Sequence, residues 1–368
     1  MSNDYAEVIM SHLSKFKEVL ANGGFDAAIV SDKLNQRYLS GFDFDDGLVL
    51  VTKNECYLIT DFRYVEAARA QASPELKILT PTGGQLLAIV GLLSDNGCHR
   101  VAIEENALSY ADFLRYTEVL CDYEIASGAS ALLRELRLYK DALELETIAR
   151  AQAITDAAFA HIVGWIKPEM TEIEVALELE FFMRRNGADG LAFETIAVSG
   201  TNSSRPHGVP RRQKLEKGFL TMDFGASVDG YCSDMTRTVV LGKADDEMKR
   251  LYNTVLTAQK AALDAAAEGV GCKALDKIAR DIIHGAGYEG CFGHSLGHGV
   301  GMFIHESPRL SQAAPDDSLL KRGHVVTFEP GIYLEGKYGC RIEDMACIRP
   351  DGTFYDFTRS PKELIELF

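Results

Sequence analysis

Five residues in the second half of the chain, Asp223, Asp234, His298, Glu329 and Glu343, restrict its folding more than any bulk property. Each sits in a short motif, most of them apolar or glycine-rich: Thr221-Met222-Asp223-Phe224-Gly225, Ser233-Asp234-Met235, Gly297-His298-Gly299, Phe328-Glu329-Pro330 and Ile342-Glu343-Asp344. Buried carboxylates are costly unless they are paired or bound to metal, so a stable fold must bring these runs together around positive charge. Four carboxylates and one imidazole form a hard, oxygen-rich donor set, whereas a structural zinc site draws on cysteine. The set predicts a two-metal hydrolase. Two ions about 3.5–4 Å apart bridge a hydroxide near neutral pH and polarise the carbonyl it attacks, which is the chemistry of amide cleavage.

Each motif also has a plainer reading. Asp223 and Asp234 flank Ser227-Val228-Asp229-Gly230, a turn signal, so the segment predicts a β-hairpin that brings both aspartates together. The plain alternative pairs either aspartate with Arg237. His294, His298 and His305 fall within twelve positions among glycines that permit close backbone approach. His298 is the expected ligand, His305 suits a proton carrier or transition-state donor, and His294 is open to a purely structural role. Arg341 stands close enough in sequence to neutralise Glu343 or Glu329, the plain reading of those glutamates. Asp344 alternates to the opposite strand face from Glu343 and is not counted as a ligand. The run Ser199 to His207 reads on its own as a polar surface loop.

At 368 residues two domains are expected. A formal charge of −16 argues against nucleic acid as a partner, and no apolar run is long enough to span a bilayer. The amino terminus lacks a secretory pattern, so a cytoplasmic protein is expected. Cys56, Cys98, Cys121, Cys232, Cys272, Cys291, Cys340 and Cys347 show no C-x-x-C pair or disulfide spacing, which predicts reduced, mostly buried thiols.

The first part alternates helix and strand. Val8, Ile9, Leu13, Phe16 and Leu20 recur at helical spacing before Gly23-Gly24, and strand-like runs follow at 27–30, 48–51, 57–60 and 101–103. A long helical stretch is predicted from Leu132 to Ile166, with the domain boundary near 128–135, giving domains at 1–130 and 131–368. Thr171 and Glu174 have capping-box spacing, and Ile173, Ala176, Leu177 and Phe181 share one face of the helix that follows. Two further helices are expected near 246–268 and 274–286. No internal repeat is visible by eye.

Taken in order, these segments resemble the metallopeptidase family that includes methionine aminopeptidases, aminopeptidase P and prolidase, whose catalytic fold is called pita-bread. Leu34 to Phe42 and Leu58 to Tyr64 are similar to the extra amino-terminal domain of aminopeptidase P, prolidase and creatinase. The resemblance implies an α/β (α+β) chain with a creatinase-like first domain and a pita-bread catalytic domain. It implies Asp223, Asp234, His298, Glu329 and Glu343 as metal ligands without substitution. It also implies His207 as a substrate-side histidine, His305 as the catalytic one, Glu329 as the carboxylate managing the water's proton, and Arg341 and Tyr333 beside the metals. Arg309 matches an arginine that prolidases use to hold a dipeptide carboxylate.

The implied cofactors are two divalent ions, Mn, Co, Zn or Fe, with Mn favoured. The implied partners are small peptides and a second copy of the chain, without nucleic acid or membrane. The implied reaction is hydrolysis of an amino-terminal Xaa-Pro bond in dipeptides or short peptides. Two alternatives stay open. One is a broad-specificity aminopeptidase, methionine included; the other is a metal-free creatinase-like hydrolase or binding protein. The run Thr358 to Leu364 is similar to the ending of bacterial members, which implies a complete chain.

Overall fold

The computed structural model describes residues 3–368, with side chains from His12 onward; Met1, Ser2 and the side chains of Val8 and Ile9 lie outside the described residues. The chain divides into two compact units, Met1–Arg137 and Leu138–Phe368. In the first, the helix Asn3–Asn22 stops at the glycine pair, and Gly24 adopts φ 74°, a conformation open to glycine at little cost. Its Leu13, Phe16 and Leu20 are buried as their spacing predicts. The sheet contains β1 (Ala27–Val30), β2 (Gly47–Thr52), β3 (Cys56–Thr60), β4 (Leu76–Leu79), β5 (Arg100–Ile103) and β6 (Glu124–Ser127). The order is β4-β3-β2-β1-β5-β6, antiparallel across β1, β2 and β3 and parallel elsewhere. The strands β4 and β6 are not anticipated by sequence pattern, because their partly exposed side chains give no continuous apolar run.

Asp26 pins the start of β1 to that of β5. Its carboxylate accepts N–H bonds from His99 (2.8 Å) and Arg100 (3.0 Å) and pairs with Lys53 Nζ (2.9 Å). The Arg100 N–H, then Lys53, then the His99 N–H hold its pKa down at about 2. A depressed carboxylate stabilises the fold fully above its ordinary pKa, and that contribution is lost as pH falls through the folded value. Asp26→Asn is therefore expected to cost about 1 kcal/mol at pH 7 and much less near pH 2. Denaturant titrations at both pH values check this; an equal loss at the two would refute it.

The second unit is built from two similar halves. The helices Ala142–Trp165 and Glu172–Arg185 form one pair, Asp246–Asp264 and Cys272–Gly285 the other. Isolated bridges at Thr171 and Gly271 mark the start of each second helix. The pattern of buried and exposed positions through each pair is nearly the same although the residues differ. The repeat is thus one of burial, which explains why no repeat is visible in the sequence.

The expected single stretch from Leu132 to Ile166 is instead two helices, Ala129–Leu138 and Ala142–Trp165. Asp141 starts the second with a complete capping box to Glu144, a signal present in the sequence. The Thr171–Glu174 box forms as predicted. That helix, however, buries Val175, Ala176, Leu179 and Met183, while Leu177 and Phe181 are 57% and 53% exposed and Arg185 lies over the Phe181 ring. Of the expected face Ala176 is buried, but two adjacent stripes both have helical spacing, and packing turned Leu177 and Phe181 outward in favour of Val175, Leu179 and Met183.

Four sheets complete this unit. The first has the order β20-β12-β9-β8, from β8 (Ile196–Ser199), β9 (Gly218–Phe224), β12 (Met235–Leu241) and β20 (Glu366–Leu367). A small sheet, β11-β10-β7, joins β7 (Gly190–Leu191), β10 (Ala226–Val228) and β11 (Tyr231–Cys232). Five strands, β13 (Gly297–Gly299), β14 (Glu306–Leu310), β15 (Val325–Phe328), β18 (Asp344–Ile348) and β19 (Phe354–Asp356), follow the order β14-β13-β15-β18-β19. A ribbon of β16 (Gly331–Leu334) and β17 (Tyr338–Arg341) completes the set. Each helix pair covers its own apolar core, one around Phe159, Leu179 and Met222, the other around Leu251, Leu275 and Phe328. The cysteines are free thiols, and of them Cys121 is exposed and Cys291 half-buried, the rest being buried. Among the described residues no helix is long and apolar enough to cross a membrane.

Candidate metal centre and active site

The predicted hairpin forms, with an insertion. The strands β9 and β12 pair antiparallel, setting Asp223 opposite Thr236, with Asp234 just before β12. Between them β10 and β11 make a smaller hairpin at Asp229-Gly230, whose φ values of 49° and 85° are those a two-residue primed turn needs. His298 sits in β13 between glycines that have no room for a side chain. A Cβ on Gly297 would lie 2.0 Å from Thr327 O, and one on Gly299 2.2 Å from Ser307 O. Glu329 follows β15 directly, its N–H bonded to Leu296 O (2.7 Å). Glu343 is not inside a strand as expected. It occupies the short step between β17 and β18, where the chain passes from one sheet to another, and its N–H bonds Thr236 O (3.1 Å).

These five side chains line one cavity of about 440 Å³, together with His207, His305, Arg309 and Arg341. Ligand atoms of Asp234, His298 and Glu343 all lie within 4.8 Å of one another, and all three residues are buried. His298 Nδ1 faces Gly299 O at 3.1 Å, a bond that assigns its proton there. Nε2 then presents a lone pair 3.6 Å from Asp234 and 3.4 Å from Glu329. Burial pushes the His298 pKa down to about 3, so the ring is neutral. An acceptor aimed at two carboxylates is an arrangement that a cation between them resolves.

The carboxylates point the same way. Burial, then Asp223 and Glu329, raise Asp234 well above the ordinary range; burial, then Asp234, Glu329 and Asp223, do the same to Glu343. Burial raises Glu329 to about 8. Asp223 Oδ1 is buried without a hydrogen-bond partner among the described residues. The donor set therefore fits divalent ions, whose charge would relieve this repulsion.

Arg341 bonds Asp223 directly rather than a glutamate, while its charge opposes the raised pKa values of Glu329 and Glu343. Its Nη2 bonds Asp223 Oδ2 (2.6 Å), Nη1 bonds Tyr333 Oη (2.8 Å) and Pro206 O (3.2 Å), and Nε bonds Thr236 Oγ1 (3.0 Å). Thr236 in turn donates to Glu343 Oε2 (2.6 Å). Arg237 pairs with neither aspartate of the hairpin; it meets Asp344 at 2.7 Å on the far face, away from the cavity. Tyr333 does not line the cavity but backs it, between Arg341 and His294. Its hydroxyl, occupied as acceptor by Arg341, donates to His294 Nε2 (3.0 Å), while His294 Nδ1 bonds Ser295 O (2.9 Å). Burial pushes His294 down to about 4. The neutral ring both faces the cavity and braces Tyr333.

The rim differs in character. His207, His305 and Arg309 are exposed, and the His305 ring meets His298 edge-on with centroids 4.4 Å apart. Burial and then Arg309 lower the His305 pKa. Phe193, Ile196, Pro206 and Ile304 add an apolar wall, and Glu194 a carboxylate. Sequence reading missed this wall, because isolated apolar residues beside turns look like ordinary packing. It also missed Thr236 and Thr327, the latter bonding His298 N (3.1 Å) and Glu329 Oε1 (3.4 Å).

Residues 146–350 match the pattern of "Metallopeptidase family M24", and residues 12–139 that of "Creatinase/Prolidase N-terminal domain". The chain belongs to metallopeptidase family M24. It is 34% identical over 361 residues to an Xaa-Pro dipeptidase of Pyrococcus horikoshii, covering 98% of this chain and 100% of that one. The solved structure of an Xaa-Pro dipeptidase from Bacillus anthracis superposes with TM-score 0.92 at 39% identity, covering 98% and 100% of the two chains. An X-Pro aminopeptidase from Thermotoga maritima gives 0.87 at 36%, covering 94% and 98%. This M24 member thus has the expected fold, a creatinase-type first domain followed by the pita-bread domain.

Proposed function

We propose that the chain hydrolyses the amino-terminal Xaa-Pro bond of dipeptides or short peptides with two divalent ions, manganese favoured among Mn, Co, Zn and Fe. The observation that carries this reading is the meeting of a buried floor of carboxylates and a partly apolar rim bearing Arg309 and two histidines in one cavity. Asp223, Asp234, His298, Glu329 and Glu343 would hold the ions, and Arg341 would keep Asp223 in place. When bound, the ions supply a water activated near neutral pH and polarise the scissile carbonyl. Glu329 accepts the proton of the attacking water. His305 and His207 donate to the developing oxyanion or the leaving nitrogen. An Xaa-Pro amide has no N–H, so the compact ring needs only the apolar wall of Phe193, Ile196 and Ile304. Arg309 holds the free carboxylate of a dipeptide. Catalysis then belongs to residues 131–368, with residues 1–130 as a non-catalytic domain. The working form is a cytoplasmic homodimer acting on small peptides.

The test compares Ala-Pro with Ala-Pro-Ala, using metal-stripped protein with and without added Mn²⁺ or Co²⁺. Stripping is expected to abolish hydrolysis and the ions to restore it; activity surviving complete removal would sink the reading. Cleavage of the dipeptide alone assigns a dipeptidase, and preference for the tripeptide an aminopeptidase. Arg309→Ala is expected to raise KM for Ala-Pro by about 10–100-fold, the loss of a charge-assisted bond, with a much smaller effect on the tripeptide. Equal effects on both substrates would remove Arg309 from carboxylate binding.

A further inference from the structure

The segment 300–305, between β13 and β14, carries two residues of the cavity, Ile304 and His305, yet forms neither helix nor strand. Its geometry rests on separate anchors. Cys232 N–H bonds Gly301 O (2.8 Å), and Gly301 N–H bonds Phe303 O (3.1 Å). The next anchor is a charge. Glu306, immediately after His305, is absent from the cavity lining, and its Oε1 accepts the Phe303 N–H at 3.0 Å. Its Oε2 meets Lys140 Nζ at 3.3 Å, with the two side chains 3% and 1% exposed. Lys140 is itself fixed, its N–H bonded to Gly323 O at 3.0 Å. Space is kept for the pair at Gly301, where a Cβ would come within 2.8 Å of Glu306 Oε1 and 3.0 Å of Lys140 Cε.

Two charges buried this deeply lose their hydration, and apolar residues of similar volume often do as well or better for stability. What apolar residues cannot do is accept the Phe303 N–H. We infer that Lys140 and Glu306 are positioning residues for catalysis: Lys140 holds the Glu306 carboxylate in place, and that carboxylate closes the 303–306 turn so that His305 and Ile304 face the substrate. This role rests on the one proposed above for His305. It adds a dependence on Lys140, a residue far from the motifs in sequence. A small displacement of a donor at a reacting centre costs rate more than binding, so the signature is a loss in kcat.

The experiment uses the full-length, metal-loaded protein with two double substitutions. Lys140→Met/Glu306→Leu removes both charges and the acceptor; Lys140→Met/Glu306→Gln removes both charges and keeps a carbonyl acceptor for Phe303. Both are expected to fold, with Tm within about 5 °C of native, and to bind the same amount of Mn²⁺. The leucine variant should lose about 30–100-fold in kcat for Ala-Pro with KM within about threefold of native. The glutamine variant should recover to within about fivefold of native kcat. Native kcat in the leucine variant, or no recovery with glutamine, overturns the inference.

Amide exchange at Phe303 provides a readout independent of turnover. It should be at least about tenfold faster in the leucine variant than in the native and glutamine proteins. Unchanged exchange overturns the inference whatever the activity. The expected exchange pattern in a native protein that does not cleave Ala-Pro leaves the anchor standing and rejects the peptidase reading instead.

Discussion

Glu329→Gln is expected to lower kcat/KM for Ala-Pro by about a thousandfold while the protein stays folded, the range seen when a positioned acid–base group is lost. The site's own electrostatics support the second half of that statement. Without ions, burial holds the Glu329 pKa up at about 8, and Asp223 pushes it the same way. A neutral amide of the same shape removes one of four mutually repelling carboxylates, so the metal-free variant should be at least as stable as metal-free native protein. Divalent ions should then stabilise the variant much less than the native chain, because stabilisation by a ligand follows its affinity. Thermal melts with and without Mn²⁺, alongside Ala-Pro turnover, measure both effects. A variant that retains more than about a tenth of native activity would exclude Glu329 as the proton acceptor.

Asp344→Ala should be the most destabilising single change in the catalytic unit, by about 3–5 kcal/mol, although Asp344 does not face the cavity. Its carboxylate is fully buried and meets Arg237 Nη2 (2.7 Å), Gln259 Nε2 (2.8 Å) and Lys362 Nζ. Burial would raise its pKa, but Arg237 and Lys362 outweigh that and keep it low. Removing it strands Arg237, 1% exposed, in the interior. Arg237 also donates to Glu343 O (2.6 Å), Ser360 O (2.8 Å) and Pro361 O (3.1 Å), so the damage spreads to the backbone of Glu343 and to the 360–362 segment. Urea denaturation of the metal-free protein measures the loss; a change under about 1 kcal/mol would show that the network relaxes around the missing charge.

Legibility in the sequence followed the range of the interaction. The glycine stop after residue 22, the Thr171–Glu174 capping box and the Asp229-Gly230 turn are all local rules, each set by a few consecutive residues, and each appears in the structure. Where two local patterns competed, local rules could not choose between them. The stripe of Leu177 and Phe181 and the stripe of Val175, Leu179 and Met183 both satisfy helical spacing, and only the sheet beneath the helix selected one. The repeated halves of the catalytic unit escaped for a related reason. What repeats is which positions are buried, and many apolar residues satisfy the same burial.

The kind of chemistry open to this chain could be read from its residues one at a time. Side-chain type sets ligand hardness, charge and proton affinity, and those are properties of single residues. Which charges meet could not be read that way. Arg237 follows Asp234 closely in the chain, and Arg341 just precedes Glu343 and Asp344, so proximity in sequence offers each arginine an acid that it does not take. Arg237 instead holds Asp344 from the next sheet, and Arg341 reaches back to Asp223 in the cavity. Both pairings join side chains from different sheets, so they follow from how the sheets pack and from the face each side chain takes. In a strand, a shift of one residue turns a side chain to the opposite face, so the assignment exists only once the sheets have formed.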